Sequence, residues 1–366
     1  MKIAEVVASF YPKIGGGANA VRFLSAELVK LGNEVHVITS TRGKEEDSLN
    51  IYVHRTKVIR PSLIKEFDVI HIHSIKPICL QALLMSKHLA KPTVISLLSV
   101  GGFMEHPNLV KRALGGLYEW AALKFVKYAD IIHVKNQRDK EKLIKFGFSD
   151  RKICLIPDGI PDYALKRFDG EAFRRKYNLV DNKIVLYVGR LHYPKGVHVL
   201  VRAMPKVIKH VPNAVAVLVG PDAGMRNKLL SIIESLGISD HVVLTGYVSE
   251  EEKFQAYSAC DVFVLPSLYD LVEAYSIVIS EAHAQGKPII AASVGAIPYR
   301  IRHMVNGLLV PPNNVNALAE AIIRVLSTPN LAKHLGENGR RCVYTWREVA
   351  LRVQSMYQTV LRTYLS

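Results

Sequence analysis

Residues 183–204, KIVLYVGRLHYPKGVHVLVRAM, decide how the rest of the chain is read. A buried strand runs into a glycine and a short loop. Apolar positions Val197, Leu200, Val201 and Met204 then recur at helical spacing, continued by Val207 and Ile208. A strand that feeds a helix in this way is the unit of a parallel sheet covered by helices. The same rhythm runs on both sides of it. Upstream the strand candidates are 2–8, 34–40, 68–74, 93–99, 130–136 and 152–159; downstream they are 214–220, 241–248, 261–267 and 288–293.

Between 158 and 183 the rhythm lapses into proline, glycine and charge, which reads as a linker. A chain of 366 residues also exceeds what one core usually organises. The expectation is an α/β protein of two tandem, doubly wound, Rossmann-like halves. The first covers 1–165 together with a returning amphipathic helix at 346–366, the linker covers 166–183, and the second half covers 184–345. Ligands of such sheets bind outside the carboxyl ends of the strands, so a cleft between the halves is the expected site.

Apolar residues make up 49% of the chain, yet no uninterrupted apolar run approaches the ~18 residues that span a bilayer. Cys79, Cys154, Cys260 and Cys342 are far apart, in neither a disulfide nor a zinc-ligand pattern, which fits a reducing cytoplasm. A formal charge of +16 calls for a polyanionic neighbour: nucleic acid, an anionic membrane surface or phosphorylated small molecules. Nothing interleaves basic residues with stacking aromatics on a strand face, so no nucleic-acid partner is expected.

Three segments carry chemistry. In GRLHYPKG, 189–196, Arg190 and Lys195 stand beyond a strand end and just before a helix. Two fixed cations beside a helix dipole suit a diphosphate, and in a transfer reaction they stabilise charge building on the leaving group. In EAYSIVISE, 273–281, Glu273 and Glu281 lie a little over two helical turns apart. With a helix starting near Glu273, one carboxylate sits at its mouth and the other two turns inside. Each can accept hydrogen bonds from vicinal hydroxyls, one on a ribose and one on a hexose; otherwise both are ordinary helix-surface acids. In YPKIGGGANA, 11–20, Gly15 and Gly16 form either a tight strand-to-helix turn or a close approach to an anion or hydroxyl.

Taken in order, PKIGGG, GNEVHVIT, DVIHIH, LIPDGI, YVGRLHYPKG, HVVLTGYV, DVFVLPS, the Glu273–Glu281 pair, GKPIIA, VGAIP and NGLLVPP resemble family 4 of the retaining glycosyltransferases, the glycosyl transferases of group 1. The resemblance covers essentially the whole chain. It implies a GT-B fold with an interdomain cleft and a C-terminal crossover helix, the acceptor held mainly by the first domain and a nucleotide sugar mainly by the second. It implies that Arg190 and Lys195 contact the donor diphosphate, that Glu273 faces the transferred sugar and that Glu281 binds the ribose. Gly15, Gly16, Gly189, Gly220, Ala274, Tyr275, Ser276 and Ile277 complete the donor side, with His73 and Ser99 toward the acceptor.

The implied reaction moves a hexose from a UDP- or GDP-sugar to a hydroxyl of a glycan or lipid-linked saccharide, with retention. No metal or other cofactor is expected, because the two cations do that electrostatic work. A GT-B epimerase or hydrolase, or a non-catalytic polyanion-binding homologue, is the alternative. Replacing Arg190 or Lys195 by Ala is expected to cut turnover with little loss of stability.

The chain departs from the family pattern in places. Leu97, Leu98 and Ser99 stand where many members have a histidine, which leaves His71 and His73 as the nearby imidazoles, either structural or facing the cleft. Ala274, Tyr275 and Ser276 replace a common Gly-Phe-Gly, which narrows the sugar subsite, and Tyr299 stands where an acidic residue is common. Residues 102–130 mix Lys111, Arg112, Lys124 and Lys127 with Phe103, Tyr118, Trp120, Phe125 and Tyr128. They read either as a core helix with a solvated basic edge or as a helix resting on anionic lipid at the inner face of the membrane.

Overall fold

The computed structural model describes residues 1–13, 15–43, 49–102, 109–270 and 273–365, with backbone alone at Lys111 and Leu365. The chain divides into two units, Met1–Pro161 with Tyr344–Ser366, and Asp162–Val343.

Among the described residues of the first unit, the strands are β1 (Lys2–Val7), β2 (Glu34–Thr39), β3 (Tyr52–Arg55), β4 (Val69–His73), β5 (Thr93–Leu97), β6 (Ile131–Val134) and β7 (Ile153–Leu155). They pair in parallel in the order β3-β2-β1-β4-β5-β6-β7. After β3 the chain returns to the far side of β1, so the winding reverses between β1 and β4. Alternation along the strands sends Ala4, Val6, Ile70, Ile72 and Ile95 into one core, with Cys79, Ala82 and Leu83 of the helix Pro77–His88. Ile3, Val69 and Val94 enter the other, with the helix Gly16–Lys30 and the C-terminal helix Trp346–Leu365. That last helix contributes Trp346, Val349, Ala350, Val353, Tyr357 and Val360, the stripe its 3.6-residue period lays along one side.

On this second face the alternation also places Glu5, His71, His73, Ser96 and His133, all buried. Register sets Glu5 beside His71, His73 beside Ser96, and Ser96 beside His133. The Tyr357 hydroxyl donates to Glu5 at 2.9 Å and lies 2.6 Å from Nδ1 of His71. A polar bolt thus fastens the C-terminal helix to the sheet through an otherwise apolar seam.

Among the described residues of the second unit, the strands are β8 (Lys183–Val188), β9 (Ala214–Val219), β10 (Val242–Gly246), β11 (Val262–Leu265), β12 (Ile289–Ala292) and β13 (Leu308–Val310), paired in parallel in the order β10-β9-β8-β11-β12-β13. Here the winding reverses between β8 and β11. Helices Val197–His210 and Val315–Ser327 pack on one face through Leu200, Met204, Leu318 and Ile322.

Two features differ from the sequence reading. Residues 166–183 hold the helix Gly170–Lys176, whose Phe173 is buried and whose Arg174 pairs with Asp261 at 3.0 Å. Polar composition there reflects an exposed helix face of the second unit. Strands β3 and β13 were not expected, because runs of four and three residues carry too little periodicity to stand out.

Tyr357→Phe deletes one hydroxyl and leaves both Glu5 and His71 short of a partner. It is expected to cost the first unit about 2 kcal/mol in a urea titration. An unchanged unfolding midpoint would mean the bolt holds nothing.

Candidate active site

The reversal between β8 and β11 is the place where a doubly wound sheet opens a crevice at its carboxyl edge. The loops leaving those strands are residues 189–196 and 266–276, and Gly196 seats one on the other. Its φ is +67°, and a Cβ there would stand 1.9 Å from the Pro266 carbonyl oxygen, so only glycine permits the approach. The Leu268 amide then donates to the Pro194 carbonyl at 2.9 Å. Gly220, after β9, similarly admits the backbone of Gly189, whose oxygen would be 2.1 Å from an added Cβ.

Across this seam Lys195 Nζ lies 2.7 Å from Glu273 Oε1. The Glu273 side chain is 1% exposed, and the hydroxyls of Ser267 and Ser276 also donate to its carboxylate. The Ser276 hydroxyl therefore does more than add bulk, because it helps hold the Glu273 carboxylate. Arg190 is exposed, and its guanidinium makes no hydrogen bond or ion pair with any described residue. Its carbonyl accepts from the Tyr187 hydroxyl at 2.9 Å, which fixes the loop. Burial and the nearby Glu273 raise the Tyr187 pKa, so the hydroxyl keeps the proton it donates.

The helix after Glu273 begins at Ile277, so Glu281 sits in its second turn. Its carboxylate accepts from Lys253 at 2.8 Å and from the Tyr257 hydroxyl at 2.9 Å, both on the helix Glu250–Ala259. Burial, then Glu281, push Tyr257 well up; Lys253 is raised as well, since Glu281 and Glu250 outweigh the burial that would lower it. Arg190, Lys195 and Glu273 thus belong to the two switch-point loops, whereas Glu281 takes its partners from a separate helix. Ala274 and Tyr275 are half-buried and Ile277 is exposed, with the Arg300 guanidinium 4.1 Å from the Tyr275 ring centre. Tyr299 is exposed. Ser267, Lys253 and Tyr257 escaped the sequence reading, because nothing in a linear pattern pairs them with the two acids.

In the first unit a cavity of about 270 Å³ opens where that sheet reverses, lined in part by Gly15, Gly16, His73, Lys13, Lys76 and Lys135. Lys135 is held by Asp158 at 2.7 Å. A Cβ built on Gly15 or Gly16 meets no atom of a described residue within 4 Å, so none of these neighbours requires glycine at either position. Ser96 and Leu98 line the cavity from β5 and its end, where the sequence reading had put Ser99 on the acceptor side.

Beneath the cavity the buried network fixes its own protons. Burial opposes ionisation of Glu5, but His71 and His73 hold its carboxyl well below the usual range. Burial, and then the charge of His71, bring His73 down to about 4 and His133 down to about 3. A neutral His133 donates from Nε2 to the Ile156 carbonyl at 2.8 Å, so its Nδ1 accepts from Ser96. The Ser96 oxygen must then accept from Nε2 of His71 at 2.6 Å. Tyr357, already donating to Glu5, can only accept from Nδ1 of His71. His71 thus meets a hydroxyl at each nitrogen, and its Nδ1 also lies 3.3 Å from the Glu5 carboxylate.

Neutral His73 donates from Nε2 to Glu5, and its Nδ1 makes no hydrogen bond with any described residue, which leaves a lone pair for a ligand hydroxyl. Ligand atoms of Glu5, His71 and His73 lie within 4.8 Å of one another, a spacing that also suits a metal ion. Those atoms are all engaged in hydrogen bonds within the unit.

Residues 169–342 match the family model for glycosyl transferases group 1, and residues 14–162 that for glycosyltransferase family 4. Over 99% of its length, and 99% of the relative's, the chain is 31% identical to an uncharacterized glycosyltransferase of Methanocaldococcus jannaschii. The chain belongs to glycosyltransferase family 4. This glycosyltransferase is also 30% identical to alpha-D-kanosaminyltransferase of Streptomyces kanamyceticus, over 70% of its own length and 66% of that enzyme. Its fold is GT-B: the crystal structure of HepE from Anabaena, solved in complex with UDP, superposes with a TM-score of 0.82 over 98% of this chain and 100% of that one, at 20% identity.

In the glycosyltransferase, Lys195→Ala strands a buried carboxylate and is expected to destabilise the second unit by about 3 kcal/mol. That corrects the expectation from sequence that little stability would be lost. Adding Glu273→Gln should recover most of the loss, and equal stability of Lys195→Ala and the wild type in a denaturant titration would refute the pairing.

A second expectation concerns acid. His73, His133 and His283 are held neutral when folded, at about 4, 3 and 4, the last through burial, against 6.5 for a free imidazole. Below pH 6.5 the unfolded chain takes up protons that the folded chain refuses, so stability falls, by about 2 kcal/mol per histidine at about pH 5. Tm should fall between about pH 7 and pH 5; a flat profile would contradict it.

Proposed function

We propose that the enzyme transfers a hexosyl group from a UDP- or GDP-sugar to a hydroxyl of a saccharide or lipid-linked acceptor, with retention and without a bound metal. The observation that carries the reading is an exposed Arg190, unpaired among the described residues, in the same glycine-bounded loop as Lys195 at the switch point of the second sheet. A free guanidinium beside an ammonium suits a nucleoside diphosphate. The UDP in the HepE structure agrees with this, and the kanosaminyltransferase is a relative named for moving an amino sugar.

In this reading Arg190 and Lys195 neutralise the departing diphosphate, which acts as the electrostatic catalyst in place of a metal. Glu273, steadied by Ser267 and Ser276, accepts a hydroxyl of the transferred sugar, and Glu281 exchanges Lys253 or Tyr257 for the ribose hydroxyls. The sugar passes through an oxocarbenium-like state, and a phosphate oxygen of the leaving group takes the acceptor proton. The acceptor lies over His73, whose Nδ1 accepts a hydrogen bond from one of its hydroxyls, and Gly15 and Gly16 let it approach the backbone. The four cysteines are unpaired, which fits a cytoplasmic enzyme. Among the described residues no helix is long and apolar enough to cross a membrane.

Arg190→Ala is the clean test, since the side chain is solvent-facing and holds nothing else in place. It is expected to lower donor turnover at least about 100-fold with Tm unchanged. Thermal shifts with UDP, GDP and ADP should raise Tm for one base above the others. Full turnover in Arg190→Ala, or no shift with any nucleotide, would overturn the proposal.

A further inference from the structure

The helix Leu109–Val126 has two sides of opposite character. Glu119, Ala122, Leu123 and Val126 are buried, and the Glu119 carboxylate accepts from the amides of Gly101 and Gly102 at 2.7 and 3.2 Å. The other side is apolar and faces water: Val110 is 66% exposed, Leu114 69%, Leu117 63% and Phe125 38%. Their spacing follows the helix period, so they form one stripe, with Trp120 flanking it at 49% exposure. Phe103 and the Lys111 side chain, read earlier as part of this stretch, lie outside the described residues. Packing of the first unit gives no account of an outward stripe, and continuous apolar surface of this kind marks a place that something covers.

We propose that this face seats the enzyme on an anionic lipid bilayer. Exposed Lys124 and Lys127 border the stripe, and the helix's single acid, Glu119, is buried on the far side. Lys124 Nζ lies 3.6 Å from the Trp120 ring centre and Lys127 Nζ 5.5 Å from that of Tyr128. Ammonium groups beside amphipathic rings at the rim of an apolar stripe match the layering of a headgroup region, where the stems and rings enter the apolar side and the charges meet lipid phosphates. A second copy of the chain is the poorer occupant, because it would set the same cations against one another in a molecule of formal charge +16. The inference rests on the transferase reading only for its consequence, which is to narrow the acceptor to a saccharide carried on lipid.

Flotation of the full chain with vesicles of phosphatidylcholine, alone or mixed with phosphatidylglycerol, tests it. Wild type should float with the anionic vesicles and not with the neutral ones. Leu114→Glu with Leu117→Glu, at two exposed positions, should weaken binding at least about 10-fold, and Lys124→Ala with Lys127→Ala by roughly 10- to 30-fold. Circular dichroism and the UDP thermal shift of each variant report folding and donor binding separately, so a missing shift throughout would sink the donor reading and leave the docking result standing. The proposal is overturned if wild type ignores anionic vesicles, if the double glutamate variant floats equally well, or if light scattering finds a dimer that this variant dissolves.

Discussion

A carboxylate as buried as Glu273 is tolerated only when something of opposite charge meets it. Lys195 does so from the neighbouring loop, and much of the second unit's functional edge follows. To bring the ammonium within reach, the loop after β8 must lie on the loop after β11, which is why Gly196 touches the Pro266 carbonyl. With Lys195 committed to Glu273, Arg190 is left facing solvent from the same loop. One ion pair thus sets the contact between two segments and leaves Arg190, unpaired among the described residues, beside it.

The first unit solves a similar problem inside its core. Glu5, His71 and His73 sit on strands flanking the other switch point, where apolar side chains would be simpler. Glu5 is partnered from within the unit, by both imidazoles and by the Tyr357 hydroxyl. The network's cost is acid sensitivity; its return is a neutral His73 at the cavity, oriented by Glu5 and ultimately by Tyr357 of the C-terminal helix. The segment that closes the unit therefore also tunes a group lining its cavity.

Stability and activity overlap to different degrees among the charged residues. Lys195 neutralises a buried acid, and in the proposed reaction the same ammonium would also meet the diphosphate. Arg190 is free of structural duty. The apolar stripe on Leu109–Val126 is the reverse case, a largely exposed surface whose meaning has to be sought outside the chain.

Strand and helix rhythm, two parallel sheets, and the placing of Arg190 and Lys195 in a loop beyond a strand end were legible in the sequence, because periodicity and glycine placement are local signals, whereas Glu273, read as a helix start, stands four residues before the helix that begins at Ile277. The short strands β3 and β13 and the helix Gly170–Lys176 were not, being too brief or too polar to declare themselves. Nor were the partners. Lys195 with Glu273, Glu281 with Lys253 and Tyr257, and Glu5 with Tyr357 are far apart in the chain, and only the strand order brings them together. The one available hint was parity: Glu5, His71, His73, Ser96 and His133 interrupt apolar strands at alternating positions. The sequence determined which chemical groups stand at the ends of strands; tertiary structure decided which of them meet, because charge compensation acts through space and depends on the winding that makes distant strands neighbours.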